Sequence, residues 1–306
     1  MYQNFFELRG NPFGTNPDPR YLYLTRDAQE ALACLTYGIQ ARKGFIVLSG
    51  EVGTGKTTLL NKLLNWLRGD RAATAFVFNP SLTVGEFLDF MMADFGIACQ
   101  SPMKSQVLLH LNRWLLERYR AGEAVVLIVD EAQNLSLEVL EEIRLLTNLE
   151  TSSEKLIQIV LSGQPELDEK LKLPQLRQLR QRINLRAYLH PLTLEEARGY
   201  IAERLRIAGG DGREIFAPEA IERVHFCSNG IPRLFNLLCE HALISAFADQ
   251  DRIVTAERIE QTAGELELDQ KNAVTLGPVG EPEPTVQEKE LLRSLAIAVR
   301  QIRKGN

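Results

Sequence analysis

Cysteine is scarce in this sequence and never closely paired. The four present, Cys34, Cys99, Cys227 and Cys239, form no C-x-x-C motif and read as reduced core thiols. His225, Cys227, Cys239 and His241 together have metal-ligand chemistry, but residues two apart on a helix face different ways and both pairs lie in helical sequence, so zinc is not expected. Long apolar runs are missing too. The longest clean one, Ala124 to Val129, is far below the ~20 residues a membrane helix needs. Met1 to Gly10 lacks the charged start and apolar run of a targeting segment. A soluble, cytoplasmic protein is the expectation. No charge dominates: the formal net charge is −5 and the pI about 5.6, which gives no global signal for nucleic acid and leaves room only for a local basic patch. No internal repeat of useful length is present.

What is present is 306 residues, 45% hydrophobic, enough for one large domain and a smaller one. Short β-branched runs at Phe45–Ser49, Thr74–Phe78, Ala124–Val129, Leu156–Leu161 and Ile183–Leu189 alternate with helical stretches at Lys56–Leu67, Val84–Phe95, Ser105–Tyr119 and Leu137–Leu149. Apolar residues at successive positions predict strands buried on both faces, and the alternation predicts a parallel five-stranded sheet between helix layers. With an N-terminal arm and first helix at 1–44, this α/β domain should span 1–190. After Pro191 only helical patterns follow: Leu194–Ala208, Pro218–Ser228, Pro232–Ala248 and Ala256–Leu266, with Pro218 and Pro232 at first-turn positions and Thr255 as an N-cap. This predicts a small all-helical domain at 191–268. Residues 269–287 are rich in Gly, Pro and acids and read as a flexible linker. A last helix at 288–306 carries Leu292, Leu295, Val299 and Ile302 on one stripe, beside Arg293, Arg300, Arg303 and Lys304. It could dock a partner, fold back, or lie on an anionic membrane.

Two motifs carry chemistry. Gly50-Glu51-Val52-Gly53-Thr54-Gly55-Lys56-Thr57 fits G-x-x-x-x-G-K-[ST], after an expected strand and opening an expected helix. In such a loop the backbone curls so that successive N–H groups face one anion, and the helix N-terminus adds positive potential. The loop and the following Thr58 are the candidate nucleotide contacts. Lys56 would reach the β- and γ-phosphates and the Thr57 hydroxyl would coordinate magnesium. The strand Val125–Val129 runs into Asp130-Glu131, about seventy-five residues further on. Ligands of an open parallel sheet collect at the carboxyl ends of its strands. Asp130 would therefore be a second magnesium ligand, direct or through water, and Glu131 the group that could polarise the attacking water.

These motifs, with the helical domain behind them, resemble an AAA+ ATPase, a P-loop NTPase fold with a helical lid. Asn11-Pro12-Phe13, Pro17-Asp18-Pro19-Arg20-Tyr21-Leu22-Tyr23-Leu24-Thr25 and Glu30-Ala31-Leu32 narrow the resemblance to the ATPase domain of general secretion pathway protein A. Asp130-Glu131-Ala132-Gln133-Asn134-Leu135, Leu145-Leu146-Thr147-Asn148-Leu149-Glu150 and Ser162-Gly163-Gln164-Pro165-Glu166-Leu167 point the same way. The likeness covers about residues 1 to 267 and extends, more distantly, to transposition ATPases of the TnsC and MuB kind.

The resemblance implies further roles. Asn79 would hold the catalytic glutamate inactive until a partner engages, or be a turn former before Pro80. Gln164, or else Ser162, would sense the γ-phosphate. Arg182, with Arg180 second and Arg177 in the same cluster, would reach a neighbouring subunit's nucleotide as an arginine finger. Arg233, in Gly230-Ile231-Pro232-Arg233, would report nucleotide state from the lid. Phe13 or Pro17 would pack on the adenine. ATP and magnesium are the implied ligands, a homo-oligomeric ring or filament the implied assembly, and envelope secretion or polysaccharide export the implied setting, with a partner protein there. Peripheral contact with the inner membrane fits that setting. A DNA-bound transposition-type adaptor is the alternative. Full-length secretion relatives continue into a membrane span and a periplasmic peptidoglycan-binding part; this sequence carries neither, so a secretion role does not transfer with the resemblance alone.

Overall fold

The apolar runs pair side by side in one sheet, and the helical stretches between them return the chain so that every strand points the same way. The computed structural model describes residues 2–70, 72–78, 81–98, 103–210 and 212–268. Residues Met1–Leu266 form one compact unit. The linker and terminal helix expected at 269–306 lie outside the described residues, as does Asn79.

The order along the chain is α1 (Tyr2–Phe5), α2 (Arg26–Gln40), β1 (Phe45–Gly50), α3 (Lys56–Gly69), β2 (Ala73–Val77), α4 (Val84–Asp94), α5 (Lys104–Arg120) and β3 (Val125–Val129). It continues with α6 (Leu137–Leu146), β4 (Gln158–Gly163), α7 (Pro165–Leu171), α8 (Arg177–Arg180), β5 (Leu185–Leu189), α9 (Leu194–Ile207), α10 (Pro218–Ser228), α11 (Pro232–Ala248) and α12 (Ala256–Glu265). The strands lie in the order β2-β3-β4-β1-β5, all parallel. β1 is thus hydrogen-bonded on both sides, with Leu48 opposite Ser162 of β4 and Ala187 of β5.

Side chains alternate between the two faces. Phe45 and Val47 of β1 enter a core with Phe87 and Met91 of α4, Leu111 of α5 and Leu140 of α6. Ile46 and Leu48 enter a second core with Leu35 and Ile39 of α2 and Leu59 and Leu63 of α3. The expectation of burial on both faces holds for β1, β3 and β4, which are buried at every residue. It fails for β2 and β5, where exposed or half-buried positions intervene, because each is an edge strand only partly covered.

After β5 the chain is helical. α4 and α9 each start with a capping box, Thr83 with Glu86 and Thr193 with Glu196. Pro218 and Pro232 stand in the first turns of α10 and α11. Thr255 occupies the N-cap of α12 but makes no side-chain cap hydrogen bond. The first residues of the chain pack on these helices: the Tyr2 hydroxyl donates to Glu240 of α11 at 2.9 Å, the Phe5 and Phe247 rings meet at 5.5 Å, and the Arg9 amide donates to the Ala208 carbonyl at 2.7 Å. Among the described residues no helix is long and apolar enough to cross a membrane.

Candidate functional site

The carboxyl ends of β1, β4 and β3 deliver Gly50, Gly163 and Asp130 side by side, and the site is built on them. Beyond Gly50 the chain turns through Gly53 and Gly55, at φ 81° and 101°, and enters α3 at Lys56. Gly53 needs glycine for two reasons. Its φ lies in the left-handed region, and a Cβ there would sit 2.7 Å from Cβ of Arg233. That closeness is a backbone contact between the loop and the start of α11, where the Arg233 amide donates to the Gly53 carbonyl at 3.2 Å.

Lys56 is buried, and its ammonium donates to the carbonyls of Gly50 at 2.7 Å and Glu51 at 2.9 Å. Burial lowers its pKa from the ordinary lysine value, while the nearby carboxylates of Glu131, Asp130, Glu51 and Glu166 oppose that shift. The Thr57 hydroxyl donates to Oδ2 of Asp130 at 2.8 Å, and the Glu131 amide donates to Oδ1 of Asp130 at 3.0 Å. A hydroxyl and a carboxylate converging beside a phosphate loop are the hard oxygen donors magnesium takes alongside substrate phosphates. The donor set therefore fits that ion.

Glu131 has φ 52° and ψ 38°, left-handed for a residue with a side chain. Such a conformation costs about 1–3 kcal/mol and clusters at functional sites. Its Oε2 accepts from the side-chain amides of Gln133 at 2.6 Å and Gln164 at 3.1 Å. Ser162 lies one position earlier on β4 than Gly163; it is fully buried, and its hydroxyl has no hydrogen-bond partner among the described residues.

A cleft of about 360 Å³ opens from the loop toward the N-terminal arm and helices α9 and α11, within the ~300–1,000 Å³ range of small-molecule sites. Val52 to Thr58 and Glu131 line one end; Pro17, Tyr21 and Tyr23 of the arm, with Tyr200, Arg204 and Asn236 of α9 and α11, line the other. Arg204 ties that second end together. Its guanidinium donates to the carbonyls of Pro12 at 2.6 Å and Gly14 at 3.2 Å and to the Tyr200 hydroxyl at 2.9 Å. It also lies over the Tyr21 ring at 4.8 Å. Tyr200 in turn donates to Oδ1 of Asn236 at 2.7 Å.

Of the residues expected at the site, Lys56, Thr57, Thr58, Glu131 and Arg233 line the cleft and Asp130 bonds to Thr57. Phe13 does not: it is fully buried, edge-on to Phe216 at 5.7 Å, so it packs the core and is corrected as a base contact. Pro17 from the same arm lines the cleft. Arg180 is exposed and Arg182 donates to the Thr147 hydroxyl at 3.2 Å; neither lines the cleft of its own chain. The sequence reading missed Gln133, Tyr200, Arg204 and Asn236. Gln133 carried a signal, two residues after a carboxylate at a strand tip. Arg204 carried none, since an arginine among Glu and Arg in a helix reads as a solvated face. Of the possible zinc set, His225 instead bonds through Nε2 to the Leu192 carbonyl at 2.9 Å.

A family model described as an AAA domain matches residues 39–171. General secretion pathway protein A of Aeromonas hydrophila is 47% identical over 249 residues, covering 81% of this chain; the chain spans 45% of that relative's length. Among solved structures, Cdc6p of Pyrobaculum aerophilum superposes with a TM-score of 0.62 at 17% identity, covering 92% of this chain and 74% of that one. The ORC2 protein of Aeropyrum pernix gives 0.61 at 19%, covering 83% and 71%. These two likenesses concern the fold.

Proposed function

Given that the chain belongs to the AAA+ ATPases and is of the general secretion pathway protein A type over 81% of its length, we propose that it binds ATP with magnesium in this cleft, hydrolyses it, and couples nucleotide state to self-assembly in envelope secretion. The observation that carries this reading is the 2.8 Å contact between Thr57 and Asp130, which ties the phosphate loop to the carboxylate tip of β3.

In this mechanism the triphosphate lies along the loop. Lys56 exchanges the carbonyls of Gly50 and Glu51 for β- and γ-phosphate oxygens, and the amides at the N-terminus of α3 face the same anion. Thr57 and Asp130 would hold magnesium, which would supply charge neutralisation at the phosphate oxygens. Glu131 orients water for in-line attack on the γ-phosphorus; the new P–O bond forms as the bond to the β–γ bridging oxygen breaks and ADP leaves. Gln164 senses the terminal phosphate and Arg233 reports nucleotide state to the helices behind it. Pro17 and Tyr21 flank the base. The Asn79 restraint on Glu131 rests on the resemblance alone.

Arg182, with Arg180 second, completes the site of a neighbouring copy, so turnover requires a ring or filament. An arginine finger is worth about 10³–10⁵ in rate where measured. ATP then holds the interface together, hydrolysis loosens it, and an export partner reads the resulting shape.

The test is Glu131→Gln. Nucleotide affinity, read by titration with a fluorescent ATP analogue, stays within twofold, while turnover falls at least about 100-fold. Wild-type turnover would place the base elsewhere. Mixing Arg182→Ala with Glu131→Gln subunits restores part of the activity; no rescue at any ratio refutes the finger in trans.

A further inference from the structure

The geometry points to Gln133 as the residue that aims Glu131: a positioning residue whose amide fixes Oε2 of the carboxylate, while Gln164 shares that oxygen only until the terminal phosphate draws its amide away. This rests on the reading of Glu131 as the group that orients water.

The two amides that meet on Oε2 are held very differently. Gln133 is fixed at three points. Its Nε2 donates to Glu131 at 2.6 Å, its Oε1 accepts from the Gln164 backbone amide at 3.1 Å, and its carbonyl accepts from the Lys170 ammonium at 2.5 Å. Lys170, from α7, also donates to the Leu135 carbonyl at 2.9 Å, so one lysine ties the turn after Glu131 to α7. The amide passes over the tip of β4, where a Cβ on Gly163 would come within 3.0 Å of Gln133 Oε1. A side chain at Gly163 would press on that seat and, more tightly, on Leu167 of α7, whose Cδ2 would lie 2.7 Å away.

Gln164 holds the carboxylate by one longer contact, 3.1 Å, from a side chain whose Oε1 makes no hydrogen bond among the described residues. The two amides therefore divide the work. Gln133 keeps Glu131 pointed from a fixed frame, and this matters because the Glu131 backbone sits in a costly left-handed conformation that must be held from outside. Gln164 is the exchangeable one. When its amide turns to the γ-phosphate, one lone pair of Oε2 is freed to accept from water, so terminal-phosphate binding and activation of the base become one event.

The test is Gln133→Met, which keeps length and removes the amide, alongside Gln133→Ala, each in the full chain with its melting temperature recorded. In both, kcat falls about 10- to 100-fold while KM and the affinity for the fluorescent ATP analogue stay within twofold, as expected when an interaction acts only on the chemical step. Single-turnover hydrolysis of labelled ATP then closes a cycle with Glu131→Gln: a residue acting through Glu131 causes no further loss in that background. Wild-type kcat in both Gln133 variants, or an undiminished further loss on top of Glu131→Gln, overturns the proposal. Wild-type turnover by Glu131→Gln alone would instead fail the reading of Glu131 itself.

Discussion

At the phosphate end of the cleft the groups come from two short stretches, 50–58 and 130–131, and backbone geometry does most of the placing: the turn through Gly53, the start of α3, the tip of β3. At the other end Tyr21, Tyr200, Arg204 and Asn236 come from the arm, α9 and α11, and Arg204 bonds to a carbonyl 192 positions away. The first end is short-range and its chemistry is generic to triphosphates. The second is long-range and exists only once the helical part has packed on the arm. The difference teaches where binding and stability should separate: the loop serves the ligand, and the opposite wall serves the fold as well.

Lys56→Ala should break the phosphate end alone. We expect ATP-analogue affinity to fall a thousandfold or more, about 4 kcal/mol, with thermal stability little changed, since the loss of its bonds to the Gly50 and Glu51 carbonyls is offset by relief of burying the ammonium. Affinity within tenfold of wild type would dissolve the distinction. Arg204→Met should strike the other end as a fold defect. The buried Pro12 carbonyl, the half-buried Gly14 carbonyl and the Tyr200 hydroxyl lose their donor, at about 2–3 kcal/mol of unfolding free energy in denaturant titration. Amides of residues 11–25 should lose hydrogen-exchange protection first. Unchanged protection there would mean that the arm is held by other contacts. Asn236→Ala sharpens the same point with a smaller effect, about 1 kcal/mol, because only the Tyr200 hydroxyl is left to find a new acceptor.

This division also explains what the sequence made legible. The loop, its strand and its helix could be read because a motif of eight residues fixes its own backbone. Asp130 and Glu131 could be read because a fully apolar strand ending in two acids places them at the carboxyl end of the sheet. Phe13 was misassigned because which face of an arm meets the cleft depends on Phe216, some two hundred residues away, and no local pattern encodes that partner. Arg204 was invisible for the same reason. The edge strands were overread: successive apolar residues imply two covered faces only when neighbouring strands and helices exist on both sides, and β2 and β5 lack a strand on one side. The helix starts at Pro218 and Pro232 were readable because proline declares its own position.

The strand order puts β1, which carries the loop, between two parallel neighbours, while β2 lies at the far rim. The proposed nucleotide grip is thus mounted on an interior plank of the floor, tied along both of its edges. Amides of Ile46 to Ser49 should exchange only when the entire molecule opens, whereas those of the rim strand β2 should exchange through smaller openings.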